Sequence, residues 1–203
     1  MEEWFKDMSL VQGTDAWKAA RSKRLGGSEI ASVLRISPYK TRRDLWKEKV
    51  GLVTPPDISS MPHVQRGIKA EPIARGLLER KYRVKYTTPT LVHPEYKWAV
   101  ASLDGICSEY TLEIKTMSRD KHEDVAKGEV PDYYECQVQW GLMISGLEKG
   151  LFASYRPEDG TLHEVWIKAD ETRQHWMLDQ AKEFMGWVER NEEPPEDFVC
   201  TLK

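Results

Sequence analysis

The 203-residue sequence predicts an α+β fold (α/β in the broad sense): a central mixed β-sheet flanked by helices, with an N-terminal helical part. Three observations predict it. Residues before Tyr82 show helix signals punctuated by Gly and Pro; from Tyr82 short β-rich runs alternate with turn residues; and a helix, a strand pair and a last helix close the chain. With 40% hydrophobic residues and no internal repeat, the chain suits one domain with one sizeable core. Within this single domain, residues 1–62 form the helical part, 63–168 the sheet-bearing core, and 169–203 a C-terminal helix and tail.

The elements follow in order. Asp15–Arg21 reads as a short helix, and Gly26-Gly27 breaks the chain before a second helix for which Ser28 is the expected N-cap. Thr41–Lys49 starts another. His63–Tyr82 forms a longer helix, interrupted at Glu71-Pro72 because proline lacks an N–H and clashes one turn back. Val84–Tyr86, Thr90–Val92, Trp98–Leu103 and Thr111–Thr116 read as strands, divided by Pro94, Asp104-Gly105 and Ser108-Glu109. Tyr133–Ser145 is an amphipathic helix; Gly150–Tyr155 and Leu162–Ile167 are strands joined through Asp159-Gly160; and Asp170–Glu189 is the final helix.

Composition bounds the setting. No run approaches the ~18 apolar residues of a membrane span, and the acidic MEEWFKDM start is unlike a signal peptide, so a cytoplasmic protein without membrane contact is expected. Cys107, Cys136 and Cys200 are odd in number and lack CxxC spacing, which disfavours a disulfide framework or zinc ribbon. The net charge of -3 argues against a polyanion partner, but its distribution does not. Residues 1–100 carry 19 Lys and Arg against 11 Asp and Glu, while residues 101–203 carry 11 against 22. The basic excess concentrates between Lys18 and Lys49, which hints at a polyanion partner, although charge alone fits a solvated helical surface better.

The densest chemistry is Ser102-Leu-Asp104-Gly105 followed by Glu113-Ile-Lys115. Residues two apart on a strand share a face, so Glu113 and Lys115 project together and Asp104 meets them from the neighbouring strand end. Two carboxylates converging beside an ammonium suit a hard divalent cation and phosphodiester hydrolysis. The same residues also fit an ordinary Asp-Gly hairpin with an edge-strand ion pair. Glu71 at the helix kink and Gln137, on a helix face with Trp140 and Ile144, weigh towards the metal site.

The ordered set Gln12-Gly-x-x-x-Trp17-x-x-x-Arg21, Gly27-Ser28-Glu29, Gly67-x-x-x-Glu71, Ser102-x-Asp104-Gly105, Leu112-Glu113-Ile-Lys115 and Gln137-Val-Gln139 resembles the lambda-exonuclease family of YqaJ-type viral recombinases, within the PD-(D/E)xK nuclease superfamily. Leu103 stands where the superfamily name leads one to expect proline. The resemblance implies a restriction-endonuclease-like core and a magnesium-dependent exonuclease, manganese substituting, that digests linear duplex DNA from the 5′ end and leaves 3′ tails for recombination. It implies two ions per site, with Asp104, Glu113 and the Ile114 carbonyl as ligands, Glu71 assisting a second ion, Lys115 activating water and Gln137 lining the site. Arg21 falls at the position that grips the 5′-terminal phosphate, with Ser28 beside it and Ser102 lining the site; the sequence itself adds Trp17, one helical turn before Arg21 and placed to stack on a terminal base, and Arg24 beside the helix start. A homotrimeric ring around DNA, a single-strand annealing protein as partner, and a phage or prophage origin in a bacterial cytoplasm are implied as well.

Two other readings share these motifs: a metal-dependent endonuclease of the same superfamily, and a DNA-end-binding module without turnover. Met61 and His63 are placed where a wedge could split the duplex end. The five histidines form no ligand spacing and are assigned no catalytic work.

Overall fold

The computed structural model describes residues 6–7 and 13–195; Gln12 and Cys200 lie outside them. The N-terminal part begins with β1 (Lys6–Asp7) and α1 (Asp15–Ser22), whose N-cap Thr14 accepts from the Trp17 amide. After β2 (Leu25–Gly26) comes α2 (Gly27–Val33). Its N-cap is Gly26, not Ser28: the Glu29 carboxylate reaches back to the Gly26 N–H at 2.8 Å and supplies the capping, leaving Ser28 exposed in the first turn. α3 (Arg42–Lys49) is capped by Thr41.

α4 (Pro62–Tyr82) runs unbroken through Pro72, contrary to the interruption that proline predicts. The ring of Pro72 faces solvent, while Ala70, Ala74 and Leu78 make a fully buried stripe that holds both halves of the helix on one surface. The left-handed C-cap Arg83 ends it. Val84–Tyr86 is not a strand, because the Val84 and Tyr86 amides are taken by the Glu79 carbonyl and carboxylate; only a bridge from Thr87 to Ile106 forms there.

The remaining elements are β3 (Thr90–Val92), β4 (Ala99–Ser102), β5 (Gly105–Ile106), β6 (Thr111–Lys115), α5 (Arg119–Ala126), α6 (Asp132–Ser145), β7 (Lys149–Arg156), β8 (Thr161–Lys168) and α7 (Glu171–Arg190). The fold class is the α+β one expected, but the strands form two four-stranded mixed sheets rather than one. Their orders are β1-β3-β4-β2 and β5-β6-β7-β8, with β2/β4 and β6/β7 parallel and the other pairs antiparallel. The chain crosses from one sheet to the other at Leu103-Asp104. α5 has no counterpart among the expected elements, since RDKHEDVA is charged throughout and buries only His122 and Val125. His122 hydrogen bonds Ser154 Oγ at 2.7 Å and Thr161 Oγ1 at 2.9 Å, which ties α5 to β7 and β8.

α6 is the central helix. Trp140, fully buried, donates to the Val100 carbonyl at 3.0 Å and packs with Ile30, Leu45 and Phe184, joining α2, α3 and α7 to the first sheet. On the other side Val138 and Leu142 pack on Phe152 of β7. Gly150 makes this close approach possible: a Cβ there would lie 2.8 Å from both Thr111 Oγ1 and Val138 Cγ1. Among the described residues, no helix is long and apolar enough to cross a membrane, and Cys107 and Cys136 are free thiols.

Candidate active site

The seam between the two sheets gathers Asp104, Glu113, Lys115, Glu71 and Gln137. Asp104 is fixed at both ends. Its Oδ2 accepts from the Ile114 N–H at 2.8 Å, and its main-chain carbonyl accepts from Arg75 Nε at 2.6 Å. Glu113, on β6, is 5% exposed. Its Oε1 accepts from Gln137 Nε2 at 2.6 Å and from Lys115 Nζ at 2.5 Å, so the strand's two-residue period does bring Glu113 and Lys115 together. Glu71 lies on α4 and pairs with Arg75 one turn on.

The electrostatics are those of acids crowded out of water. Burial, then the Asp104 charge, pushes the Glu113 carboxyl up to about 8 against the pull of Lys115. Burial also raises Asp104, opposed by Lys115, the Ile114 N–H and Arg75. Glu71 is raised by burial and then by Asp104. Burial disfavours the Lys115 ammonium, yet Glu113 and Asp104 outweigh it and hold the group above its ordinary value. Three acids share two cations, Lys115 and Arg75, so ionising all three together is unfavourable without a further positive charge.

That donor set fits a hard divalent cation: carboxylate oxygens fixed in place, destabilised by mutual repulsion, with main-chain oxygen at hand. Among the described residues, no three His, Cys, Asp or Glu side chains stand close enough to hold an ion by themselves. Glu71 is turned to Arg75 and Glu113 to Lys115 and Gln137, so carbonyl and water oxygens would complete any shell.

A second group adjoins the first. Trp17 Nε1 donates to Thr90 Oγ1 at 3.0 Å and Ser102 Oγ at 3.1 Å, which ties α1 to the strand ends that lead into Asp104. The Arg21 guanidinium lies over the Trp17 ring, 4.4 Å from its centroid, and reaches Ser28 Oγ at 3.5 Å. It rests directly on Gly26, where a Cβ would stand 2.1 Å from Arg21 Nη2. Gly27 in turn lies against Gln137 and Trp140, so the two groups meet across α2 and α6.

Arg24 does not join them. Its guanidinium is taken by the carbonyls of Ala20, at 2.5 Å, and Lys97, at 3.1 Å. Much of the basic excess between Lys18 and Lys49 is likewise engaged internally: Lys40 with Glu48, Lys49 with Glu29, Arg43 with Glu193, and Arg42 buried against Trp187. Met61 and His63 are exposed at the start of α4. Sequence reasoning missed Arg75, Thr90 and Tyr134, whose ring stands 5.3 Å from Lys115 Nζ. The four-residue spacing of Glu71 and Arg75 on a helix was the available signal for the first.

Comparison with known proteins bears on this geometry. An uncharacterized Bacillus subtilis protein, YqaJ, is 30% identical over 144 residues, 68% of this chain and 45% of its own length. Protein D345L of African swine fever virus (Malawi isolate) is 28% identical over 202 residues, 84% of this chain and 57% of its own. The chain thus spans about half the length of these relatives. Among solved structures, an alkaline exonuclease from Laribacter hongkongensis, LHK-Exo, superposes with a TM-score of 0.75 at 22% identity, covering 88% of this chain and 94% of its own, and shares the fold. A phage-related exonuclease from Haemophilus somnus gives 0.54 at 12%, covering 82% and 92%. Residues 16–148, which contain every residue of both clusters, match the YqaJ-like viral recombinase domain, and the chain belongs to that family.

Proposed function

We propose that the protein is a magnesium-dependent 5′-to-3′ exonuclease that digests linear double-stranded DNA and leaves 3′ single-stranded tails for single-strand-annealing recombination. One observation carries the reading: the Asp104–Glu113–Lys115 cluster is joined through Gln137 and Gly27 to the Arg21 guanidinium and Ser28 hydroxyl. A hydrolytic centre beside a receptor for a terminal dianion is what stepwise removal from a phosphorylated end requires. The family, and the fold shared with a protein described as an alkaline exonuclease, support a nuclease role.

Asp104, Glu113 and the Ile114 carbonyl would hold the ion, with Glu71 acting through a second ion or its water shell. When bound there, divalent ions would supply Lewis-acid stabilisation of the attacking and leaving oxygens. Gln137 fixes the Glu113 carboxylate, and Arg75 fixes both Glu71 and the Asp104 main chain. Lys115, held as an ammonium by its acidic neighbours, orients the attacking water and stabilises charge building on the phosphoryl oxygens. Arg21 and Ser28 take the 5′ phosphate, against a wall formed by Trp17 and Ser102; Arg24 braces α1. Contacts to phosphates make cleavage indifferent to sequence and sensitive to salt. The working form is a homotrimeric ring around the duplex, acting with a single-strand annealing protein in a bacterial cytoplasm.

The test is a linear duplex labelled at either end, incubated with magnesium. A 5′ label is released first, a 3′ label stays on a lengthening single strand, and a closed circle survives. Internal cutting of the circle would establish the endonuclease instead, and no hydrolysis at all would leave a DNA-end-binding module.

A further inference from the structure

Tyr39 is 73% exposed, more than any other large hydrophobic side chain among the described residues. Its loop is held rigidly for so open a position. The Ile36 and Ser37 amides both donate to the Ala31 carbonyl, Arg35 turns the chain at φ 64°, and the Tyr39 and Lys40 amides both donate to Ser37 Oγ. An aromatic ring on a pinned loop loses little conformational entropy when a ligand covers it.

The ring is also placed beside the site. Tyr39 packs edge-on against Tyr133, with centroids 5.9 Å apart, and Tyr133 packs at 4.4 Å on Tyr134, whose own ring faces the Lys115 ammonium. Three ring contacts therefore link Tyr39 to the Lys115 ammonium. Lys121 completes the rim, donating to the Tyr133 hydroxyl at 2.7 Å while remaining exposed. Direction follows from α2. Gly27, at its start, lies against Gln137 and Trp140, and Tyr39, in the loop beyond its end, lies against Tyr133, one turn of α6 before Gln137. Arg21 and Ser28 sit at one end of this line, Glu113 and Lys115 beside its middle, and Tyr39 at the other.

The geometry points to Tyr39, with Tyr133 and Lys121, as a base-stacking shelf for DNA on the far side of the scissile phosphate from the Arg21 end. The inference rests on the nuclease reading above and deepens it. A strand whose 5′ phosphate is at Arg21 and whose first phosphodiester is at Lys115 continues towards Tyr39. There the exposed ring meets a base face and Lys121 the adjoining phosphate. Every base has a π-face, so such a shelf holds the strand without reading its sequence.

The experiment uses 5′-phosphorylated duplexes with 2-aminopurine at successive positions of the cleaved strand, bound by the full chain with calcium in place of magnesium. Wild type should perturb the probe's fluorescence strongly at one or two neighbouring positions beyond the terminal nucleotide. Tyr39→Ala should abolish that signal and weaken binding roughly 5- to 150-fold, the equivalent of about 1–3 kcal/mol of stacking, while Tyr39→Phe and Tyr39→Trp keep it. Unchanged binding and signal in Tyr39→Ala would overturn the shelf. So would a Tyr39→Phe loss as large as that of Tyr39→Ala, which would mean that the hydroxyl and not the ring face carries the effect. A change of oligomeric mass in Tyr39→Ala, read by mass photometry, would assign the ring to contacts between copies and overturn it as well. Magnesium-dependent turnover by wild type is scored separately, so the nuclease reading can fail while the binding result stands, and the reverse.

Discussion

Replacing Gly26 by alanine tests the phosphate receptor without touching any group assigned to it. The new Cβ would stand 2.1 Å from Arg21 Nη2, and an ordinary contact is about 3.5–4 Å, so the guanidinium must retreat by roughly 1.5 Å. It already reaches Ser28 Oγ at the limit of 3.5 Å, and the retreat breaks that contact and its stacking on Trp17. The fold has little reason to suffer. Gly26 has φ −93° and ψ 159°, extended backbone open to any residue, and the clashing atom is the end of a flexible side chain. Alanine is a poorer N-cap than glycine by up to about 1 kcal/mol, offset by about 0.4–1 kcal/mol from the stiffer unfolded chain. A charge-assisted contact to phosphate contributes about 1.5–3 kcal/mol, which predicts a roughly 10- to 100-fold slower start on 5′-phosphorylated duplex. On 5′-hydroxyl duplex, where the receptor has nothing to grip, Gly26→Ala and wild type should differ by less than about threefold. Initial rates on the two substrates, with the melting temperature as control, decide it. Equal slowing on both ends, or none on either with the fold intact, would refute the role of Arg21.

Three further outcomes follow from the same geometry. The Glu113 carboxyl sits at about 8 when folded and near 4.5 when unfolded; the folded state binds that proton more tightly, so this stability is fully present below the unfolded value and is lost as pH rises towards 8. Ion-free protein should therefore melt progressively lower from about pH 5 to pH 8.5, saturating magnesium should restore about 2.7 kcal/mol at a hundred times its Kd, and Glu113→Gln should flatten the profile; a flat wild-type profile by differential scanning calorimetry would contradict this. Arg75→Ala should cut turnover by about 10- to 100-fold with its melting temperature nearly unchanged and partial recovery in Arg75→Lys, and full activity would remove Arg75 from the site. Gly150→Ala forces a Cβ against Thr111 and Val138 and should cost about 1–3 kcal/mol, a fall of roughly 3–10 °C in melting temperature, and an unaltered melting curve would show that α6 can shift off the sheet freely.

How much of this was legible in the chain depends on how local the determinant is. Glu113 and Lys115 share a face because a strand's period is two, and no tertiary contact can change that. The Tyr133–Ser145 and Asp170–Glu189 helices agree with their observed bounds to within a residue or so because apolar spacing and caps lie within the segments themselves. Where a distant partner decides, local rules mislead. Pro72 breaks helices in isolation, but the Ala70, Ala74 and Leu78 stripe seats both halves of α4 on β6 and β7. Ser28 is the better capping residue by type, yet Glu29, itself held by Lys49 from α3, takes over the Gly26 amide. Arg24 sits among basic residues that suit DNA, and two backbone carbonyls claim it. The division into two sheets is invisible in sequence because Leu103-Asp104 looks like one strand running into a turn, and the change of partner there depends on β2 and β6.

That change of partner is also why the acidic cluster sits where it does. Asp104 lies in the two-residue link, Leu103-Asp104, by which the chain leaves β4 and enters β5, and a residue between two sheets has main-chain groups that neither ladder uses. Arg75 from α4 takes its carbonyl and the Ile114 amide of β6 takes its carboxylate, so its orientation is set by a helix and a strand that do not depend on each other. Glu113 is fixed by the same logic, from its own strand through Lys115 and from α6 through Gln137. Each acid is thus held from two elements, and loosening either one displaces its carboxylate while leaving the hydrophobic clusters around Trp140 and Leu112 packed. Substitutions at these tethers should accordingly lower turnover far more than stability, whereas substitutions such as Gly150→Ala, which disturb how α6 sits on the sheet, should do the reverse. A set of tether variants whose activity tracked melting temperature point for point would mean that the seam is scaffold alone.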